Sequence, residues 1–261
     1  ALIIASNFSW AFAYQLMALI FFVNIVLSML VSSESKNIEL KKLGHIDSII
    51  EPLKDFFSRF GIKMASILLF IVATYRLTDI VMGPMANPFY IDLGYSLEEI
   101  GYIVKVVALF ATIFGVFLGG ILIKKIGLYK SLIIGAILVM ATNLFFSYAA
   151  LSEKNLMLLA SIVASDSIAA GIVGTVNITF LTSLVSQKYT GFQYALLTSL
   201  MAFLGKVFAG FSGLIVETFQ NLYGFSYGWM SFYIFTSMLA IPAILMIYHN
   251  RSFFILNSAN Q

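Results

Sequence analysis

Arg76 and Asp79 are the two residues of this sequence whose chemistry fits their surroundings least. Both lie in an apolar run at about positions 64–86, which is long enough to cross a bilayer. Because they are three residues apart, they share one face of a helix. Either charge near the bilayer midplane costs about 2.5–3.5 kcal/mol on insertion scales. The pair therefore predicts a bundle interior or a wet cavity, where substrate and ion pathways run.

Three more ionisable side chains fall inside apolar runs, at Lys105, Asp166 and Lys206. Each has a structural alternative: Lys105 could reach the headgroups, and Asp166 could be satisfied by neighbouring serines. Arg76 with Asp79 could likewise be only a structural ion pair. Together, three cations and two carboxylates favour a cavity for an anionic solute, with a carboxylate left to carry a proton. Asp166 is our first candidate for that carrier and Asp79 the second.

The composition places these charges in a membrane protein. Of the 261 residues, 61% are hydrophobic and 10% are charged, whereas soluble domains are about half apolar and about a quarter charged. We therefore expect an all-α, polytopic membrane protein. The chain has no cysteine and no HExxH, GxSxG or Walker A pattern. These absences argue against an enzyme, a metal or a cofactor, so transport would have to run on a gradient.

About seven apolar spans organise the chain. The first covers about 10–31, and six more lie at roughly 64–87, 99–123, 131–151, 156–184, 192–218 and 229–248. We expect an N-terminal bundle to end within 1–31, a cytoplasmic linker at 32–63, a six-helix bundle at 64–248 and a cytoplasmic tail at 249–261. Since the chain opens on an apolar segment without a basic leader, it looks like a piece of a longer chain.

The linker contains a predicted amphipathic helix at 45–61, because its apolar residues recur with a helical period on one side. Such a helix lies either on the membrane surface or against the protein itself.

Basic residues are concentrated on alternate connections between the spans. Eleven of the fifteen lysines and arginines lie in the linker, around Lys124, at Lys188 or in the tail. The positive-inside rule makes these segments cytoplasmic. No basic run is interleaved with aromatic residues as in a nucleic-acid surface. The expected partners are thus an anionic small molecule, protons and membrane lipid.

Four glycines mark places where helices can approach closely or turn. Gly115 and Gly119 form a GxxxG pattern, Gly120 follows it, and Gly127 lies in the basic connection that comes next. We expect these glycines to serve gating or packing, with static packing as the simpler alternative.

The segment Gly120–Lys130 resembles the glycine-plus-basic loop motif of major facilitator transporters, with Lys124 where that motif usually has an acid. The surroundings of Lys105 and six further stretches are similar to AmpG-type muropeptide permeases, namely 51–57, 75–79, 119–122, 193–197, 205–210 and 228–233. The likeness keeps their order and runs from about Trp10 to Tyr248.

This resemblance implies a twelve-span rocker-switch carrier in the bacterial inner membrane that imports anhydro-muropeptides from cell-wall recycling on the proton gradient. The chain would supply the sixth span, the central loop and the C-terminal six-helix half. All five charged residues within the spans match charged positions of that family. We expect Arg76, Lys105 and Lys206 to bind substrate, and Asp166 and Asp79 to couple protons.

Two departures from the family pattern affect these positions. Asp166 stands where a glutamate is expected and Lys206 where an arginine is expected, so reach and bidentate recognition differ. A carrier of another anion, such as acyl-CoA, and a truncated paralogue that does not transport are the alternatives.

Overall fold

The computed structural model describes residues 9–31 and 47–258, and every regular element in these ranges is helical. The contacts divide the chain into two units, residues 1–45 and 46–261. The first unit contains α1 (Trp10–Val31), whose 22 residues give a helix of about 33 Å, long enough to cross a bilayer. The expected start of the chain, residues 32–46 of the linker and the end of the tail lie outside the described residues.

The second unit consists, in its described part, of ten helices and one π-helical segment. They are α2 (Asp47–Tyr75), α3 (Leu77–Asp92), α4 (Leu97–Tyr102), the π-helical segment Ile103–Val107, α5 (Ala108–Ala149), α6 (Leu156–Leu184), α7 (Thr190–Gly210), α8 (Ser212–Tyr223), α9 (Phe225–Met238), α10 (Ile241–His249) and α11 (Arg251–Ser258).

Six helical stretches of the described chain are long and apolar enough to cross a membrane. One of them, Leu97–Ala149, has 53 residues and would be about 80 Å long if straight, more than twice the hydrocarbon thickness. Gly127 interrupts it with φ 79° and ψ 165°, a conformation that glycine adopts far more readily than other residues. This stretch therefore supplies two crossings, which makes seven with α1, as predicted.

The direction of α6 relative to α5 shows that the chain reverses at Gly127. Before the glycine, Gly115 and Gly119 lie beside Ile168 and Ile172 of α6, so the two segments run in parallel. After it, Gly135 approaches Val173, and Thr142 bonds to Asp166 further back along α6. This second part of α5 is therefore antiparallel to α6.

Side-chain contacts fix the connections that lie at one end of the unit. The hydroxyl of Tyr95 donates to the carbonyl oxygen of Asn155 at 2.9 Å, and the Lys154 ammonium pairs with Glu99 at 2.8 Å. Ser96 and Glu99 form a reciprocal capping box that starts α4. The connections between α3 and α4 and between α5 and α6 are thus held together.

The opposite end gathers the basic segments. Arg59 of α2 donates to the carbonyl oxygen of Leu184 at 3.0 Å, where α6 ends. The ring of Phe60 packs against Phe253, and Tyr129, next to the Gly127 reversal, packs against Phe254. The basic segments that the sequence predicts on one side of the membrane therefore meet at one end of the bundle.

The first part of α2, residues 47–60, packs on its own chain. Pro52 and Phe56 are buried, whereas Ile49 and Ile50, nearer the start of the helix, are 54% and 39% exposed. Gly61 has φ 71° and ψ 156°, so the backbone breaks there before the apolar part of α2 begins. Of the two alternatives for the amphipathic helix, the structure shows contact with the protein.

An aromatic cluster fills the bundle near the α3–α4 connection. Its rings come from α3, α5 and α9, and they are Phe89, Tyr90, Phe146, Trp229, Phe232 and Tyr233. Within a bilayer, this close packing is held by van der Waals contact, because lipid tails are as apolar as the side chains.

Candidate functional site

Arg76 lies at the break between α2 and α3. Its φ of −105° and ψ of 10° are not helical, but its carbonyl oxygen already accepts from the Ile80 backbone N–H at 3.1 Å. Nη2 of Arg76 lies 3.3 Å from Oδ2 of Asp79, and the two side chains are 29% and 15% exposed. The predicted pair therefore exists as an ion pair in a mostly enclosed position.

The ion pair leaves part of the guanidinium unused. Nε of Arg76 is buried and has no hydrogen-bond partner among the described residues. An arginine has five N–H donors in a planar fork that matches a carboxylate or phosphate. The arrangement can thus donate to an anion without giving up its contact with Asp79.

Tyr75 fixes the backbone immediately before Arg76. Its hydroxyl donates to the carbonyl oxygen of Leu132 at 3.1 Å, and the residue is buried. Gly135, one turn further along α5, leaves the room that this hydroxyl needs, since a β-carbon there would lie 2.9 Å from it. The break at Arg76 is therefore anchored to α5.

Asp166 lies in the same neighbourhood. Its Oδ1 accepts from the Thr142 hydroxyl at 3.3 Å, and its carboxylate interacts electrostatically with Asp79. Thr142 is buried and Asp166 is partly buried. The structure thus brings Arg76, Asp79 and Asp166 together, from helices that are far apart in sequence.

Two of the predicted glycines set the position of α6, which carries Asp166. A β-carbon at Gly115 would collide with the carbonyl oxygen of Ile168, and one at Gly119 would lie 2.9 Å from Cβ of Thr175. Gly120, in contrast, faces open space. Close packing between α5 and α6 therefore depends on Gly115 and Gly119, whereas Gly127 serves the chain reversal.

Lys105 and Lys206 are not in contact with this group. Both side chains are exposed, and neither has an ion pair or hydrogen bond among the described residues. Lys206 follows Gly205, where a β-carbon would lie 2.6 Å from the Ile80 side chain, so this part of α7 packs against α3. Lys105 lies in the π-helical segment, an irregularity that often accompanies functional sites.

Gln193 is the centre of a polar network that sequence reasoning missed. Its Nε2 donates to the Pro52 carbonyl oxygen at 2.8 Å and to Asp55 at 2.9 Å, while Arg59 donates to its Oε1 at 2.9 Å. Burial raises the pKa of Asp55, but the hydrogen bonds from Gln193 and Arg59 outweigh it and hold that pKa below its usual value. The network ties α2 to the start of α7.

A signal for this network was present in the sequence. Gln193 and the stretch 51–57 both belong to the segments that resemble muropeptide permeases. Nothing in their spacing shows that they touch, because 138 residues separate Gln193 from Asp55. Only the packing of α2 against the start of α7 brings them together.

The fold and the site together define a class of membrane carrier. The family described as Major Facilitator Superfamily matches residues 1–210 of this sequence. The chain belongs to the Major Facilitator Superfamily, which is a family of transporters and not of enzymes, as predicted.

Individual relatives point to one branch of that superfamily. The chain is 32% identical over 248 residues to "Putative transporter AmpG 4" of Rickettsia felis, which covers 93% of this chain and 57% of the relative. It is 28% identical over 240 residues to "Anhydromuropeptide permease" of Escherichia coli strain K12, which covers 91% of this chain and 46% of the relative. The chain therefore spans about half the length of these curated relatives.

Proposed function

We propose that this chain forms the C-terminal part of a proton-coupled carrier that imports anhydro-muropeptides across the bacterial inner membrane. The observation that carries the proposal is the Arg76–Asp79 pair, whose guanidinium keeps a buried donor without a partner in the described part of the chain. Similarity to the anhydromuropeptide permease of E. coli supports the substrate class. Membership of a transporter superfamily supports the mode of action.

The substrate's carboxylates are bound by cations in this proposal. Arg76 is the central one, since it lies within the bundle and donates in a planar fork. Lys206 and Lys105 carry exposed ammonium groups on neighbouring segments, so they are available to a solute that reaches this surface. An ammonium binds as a point charge, so Lys206 selects charge more than shape.

Proton coupling is assigned to the carboxylates. Asp166 is the first candidate, because its only hydrogen bond among the described residues comes from the neutral hydroxyl of Thr142. Asp79 is the second, since its carboxylate is already paired with Arg76 at 3.3 Å. A carboxylate without a cation partner in an apolar setting takes up a proton more readily than a paired one.

Uptake of labelled anhydro-muropeptide into bacteria that lack their own permease tests the proposal. Arg76→Ala should lower the initial rate by about tenfold or more, since hydrogen bonds to charged groups contribute about 1.5–3 kcal/mol. Lys154→Ala is the matched control: it removes a cation from an exposed ion pair with Glu99, which contributes little. Normal accumulation by Arg76→Ala, at wild-type membrane levels, would contradict the assignment.

The excess of cations over carboxylates among the five charges also suits another anionic solute. A carrier of acyl-CoA is therefore the second candidate, and competition by unlabelled acyl-CoA or muropeptide separates the two. Failure to restore muropeptide recycling in permease-deficient cells, together with no uptake of either solute, would favour the non-transporting paralogue.

A further inference from the structure

Two buried hydroxyl groups in the membrane part of the bundle lack protein partners. They belong to Tyr233 and Thr78, which are 0% and 1% exposed, and neither oxygen has a partner among the described residues. A buried polar group without a hydrogen bond costs about 1–3 kcal/mol. Buried hydroxyls are therefore normally satisfied by protein or by ordered water. The groups around these two hydroxyls indicate what they could bind.

Tyr233 lies within the aromatic cluster, on α9. Its ring centroid is 4.8 Å from that of Phe89 and 5.0 Å from that of Phe146. Tyr90 of α3 also stacks on Phe146, with ring centroids 6.2 Å apart. Both tyrosines thus contact Phe146, and the hydroxyl of Tyr90 also has no protein hydrogen bond among the described residues.

Asp166 bonds to the same part of α5 that carries Phe146. Its partner Thr142 is four residues before Phe146 on α5, so both side chains point to the same face, one turn apart. One residue further, Asn143 accepts from the Thr236 hydroxyl at 2.8 Å, which fixes α9 against this part of α5. Consistent with this placement, the hydroxyls of Tyr90 and Tyr233 both interact electrostatically with the Asp166 carboxylate.

Thr78 completes the same surroundings from α3. It lies four residues before Met82 and eleven before Phe89, so the three side chains share the face of α3 that packs on the aromatic cluster. Asp79 and Tyr90 share the adjacent face in the same way. Asp166 interacts electrostatically with both of them.

The other charged groups near Asp166 can be named from the elements around its helix. Asp79, paired with Arg76, acts on it from α3. The remaining cations on elements that pack against α6 are exposed or lie near the Gly127 reversal at the far end of α5, namely Lys105, Lys206, Lys124, Lys125 and Lys130. Among the described residues, the protein donor to Asp166 is therefore the neutral hydroxyl of Thr142.

We propose that the hydroxyls of Tyr90 and Tyr233, joined by water, supply the hydrogen bonds that the Asp166 carboxylate accepts when it is ionised. The two tyrosines are positioning residues that set the pH at which Asp166 takes up and releases its proton. This inference rests on the proposed function only in taking Asp166 as the proton-coupling carboxylate. The hydroxyls hold no proton of the transport cycle themselves.

Carbodiimide labelling of Asp166 tests the proposal without any transport measurement. The reagent modifies a protonated carboxyl group in an apolar setting, so the extent of labelling against pH reports the protonation of Asp166. The experiment uses the purified intact protein, with the peptide that contains Asp166 analysed by mass spectrometry. Asp166→Asn identifies the signal, because it removes the reactive group.

Tyr233→Phe and Tyr90→Phe should each move the labelling midpoint to higher pH by about one unit, since a hydrogen bond to a carboxylate contributes about 1.5–3 kcal/mol and one pH unit corresponds to about 1.4 kcal/mol. The control is Tyr95→Phe, whose hydroxyl bonds to Asn155 in a connection away from Asp166. Its midpoint should match that of the wild type.

Several outcomes contradict the proposal. One is an unchanged midpoint in both variants, and another is the absence of Asp166 labelling at every pH between about 5 and 9. Tyr233→Phe removes only an oxygen that has no protein partner among the described residues, so the variant should still fold, and Tyr90→Phe decides if it does not. A wild type that takes up no muropeptide contradicts the proposed function and leaves this labelling result interpretable by itself.

Discussion

At the scale of single residues, Arg76 and Asp79 combine a structural and a proposed functional role. Arg76 interrupts the helix and pairs with Asp79, and its Nε has no partner among residues 9–31 and 47–258. The carboxylate lowers the electrostatic cost of holding a guanidinium in the membrane. The unused donor is what an anionic substrate would bind.

The free energy of unfolding distinguishes the two roles. Asp79→Ala leaves the guanidinium of Arg76 without its partner, so it should destabilise the protein more than the double variant Arg76→Ala with Asp79→Ala does. Removing one partner of a buried pair costs about 3–5 kcal/mol, whereas removing both costs less. Thermal unfolding of the detergent-solubilised variants measures the difference. If the double variant is the least stable of the set, the pair makes a net structural contribution.

At the scale of helices, the contact between α5 and α6 positions Asp166. Gly115 and Gly119 let the two backbones approach, whereas Gly120 next to them faces open space. The GxxxG pattern therefore predicts the close packing at Gly115 and Gly119. The sequence does not show that Gly120, directly after them, faces open space.

Substitution of these neighbouring glycines should give opposite results. Gly115→Ala should destabilise the bundle by about 1–3 kcal/mol, because the new methyl group meets the backbone of Ile168 and forces α6 away. Gly120→Ala should be neutral or slightly stabilising, since the methyl group meets nothing and alanine favours the helix. Melting temperatures in detergent measure both, and equal losses would show that the close approach is not required.

The Gln193 network makes a second prediction at this scale. Gln193→Ala should speed amide hydrogen exchange in residues 47–60 by about tenfold or more, because losing buried hydrogen bonds costs about 1–3 kcal/mol. Gln187→Ala is the control, since that side chain is exposed and nearby. Equal exchange in both variants would mean that apolar contacts alone hold the helix.

The same network depends on pH with a definite sign. The folded-state pKa of Asp55 lies below its ordinary value, so its contribution to stability is present above the ordinary pKa and is lost as the pH falls through the lowered one. The protection of amides in residues 47–60, relative to their intrinsic exchange rates, should therefore fall on acidification below about pH 4 in the wild type. This loss of protection should be absent in Asp55→Asn.

At the scale of the whole molecule, the basic connections lie at one end of the bundle and the acidic connections at the other. The contacts of Arg59 and Phe253 define the first end, and those of Tyr95 and Glu99 define the second. With the positive-inside rule, this arrangement supports a cytoplasmic position for the basic end.

The natural absence of cysteine gives a direct test of this orientation. In intact spheroplasts, an impermeant maleimide should label Glu153→Cys and should reach Lys125→Cys only after the membrane is permeabilised. Both positions are exposed in connections at opposite ends. The reverse pattern would invert the proposed topology.

Much of the architecture could be predicted because a bilayer limits what a sequence can do. Each crossing needs about 20 apolar residues, so the spans and their number follow from hydropathy. The lysines around Gly127 predict a connection between two spans. The positive φ of Gly127 is the physical reason that the chain turns there. The relation between helices far apart in sequence, such as α2 and the start of α7, leaves no such periodic signal.

The sequence by itself determined the membrane class, the spans, the segregation of basic residues and the five charges that lipid would not tolerate. Only the tertiary structure decided which of these charges meet: Arg76, Asp79 and Asp166 come together, while Lys105 and Lys206 remain on exposed surfaces. Only the tertiary structure, too, placed Tyr90 and Tyr233 against Phe146, one turn along α5 from Thr142, the hydrogen-bond partner of Asp166. The reason is that insertion energy depends on each residue's own chemistry, whereas contact depends on how separate helices pack.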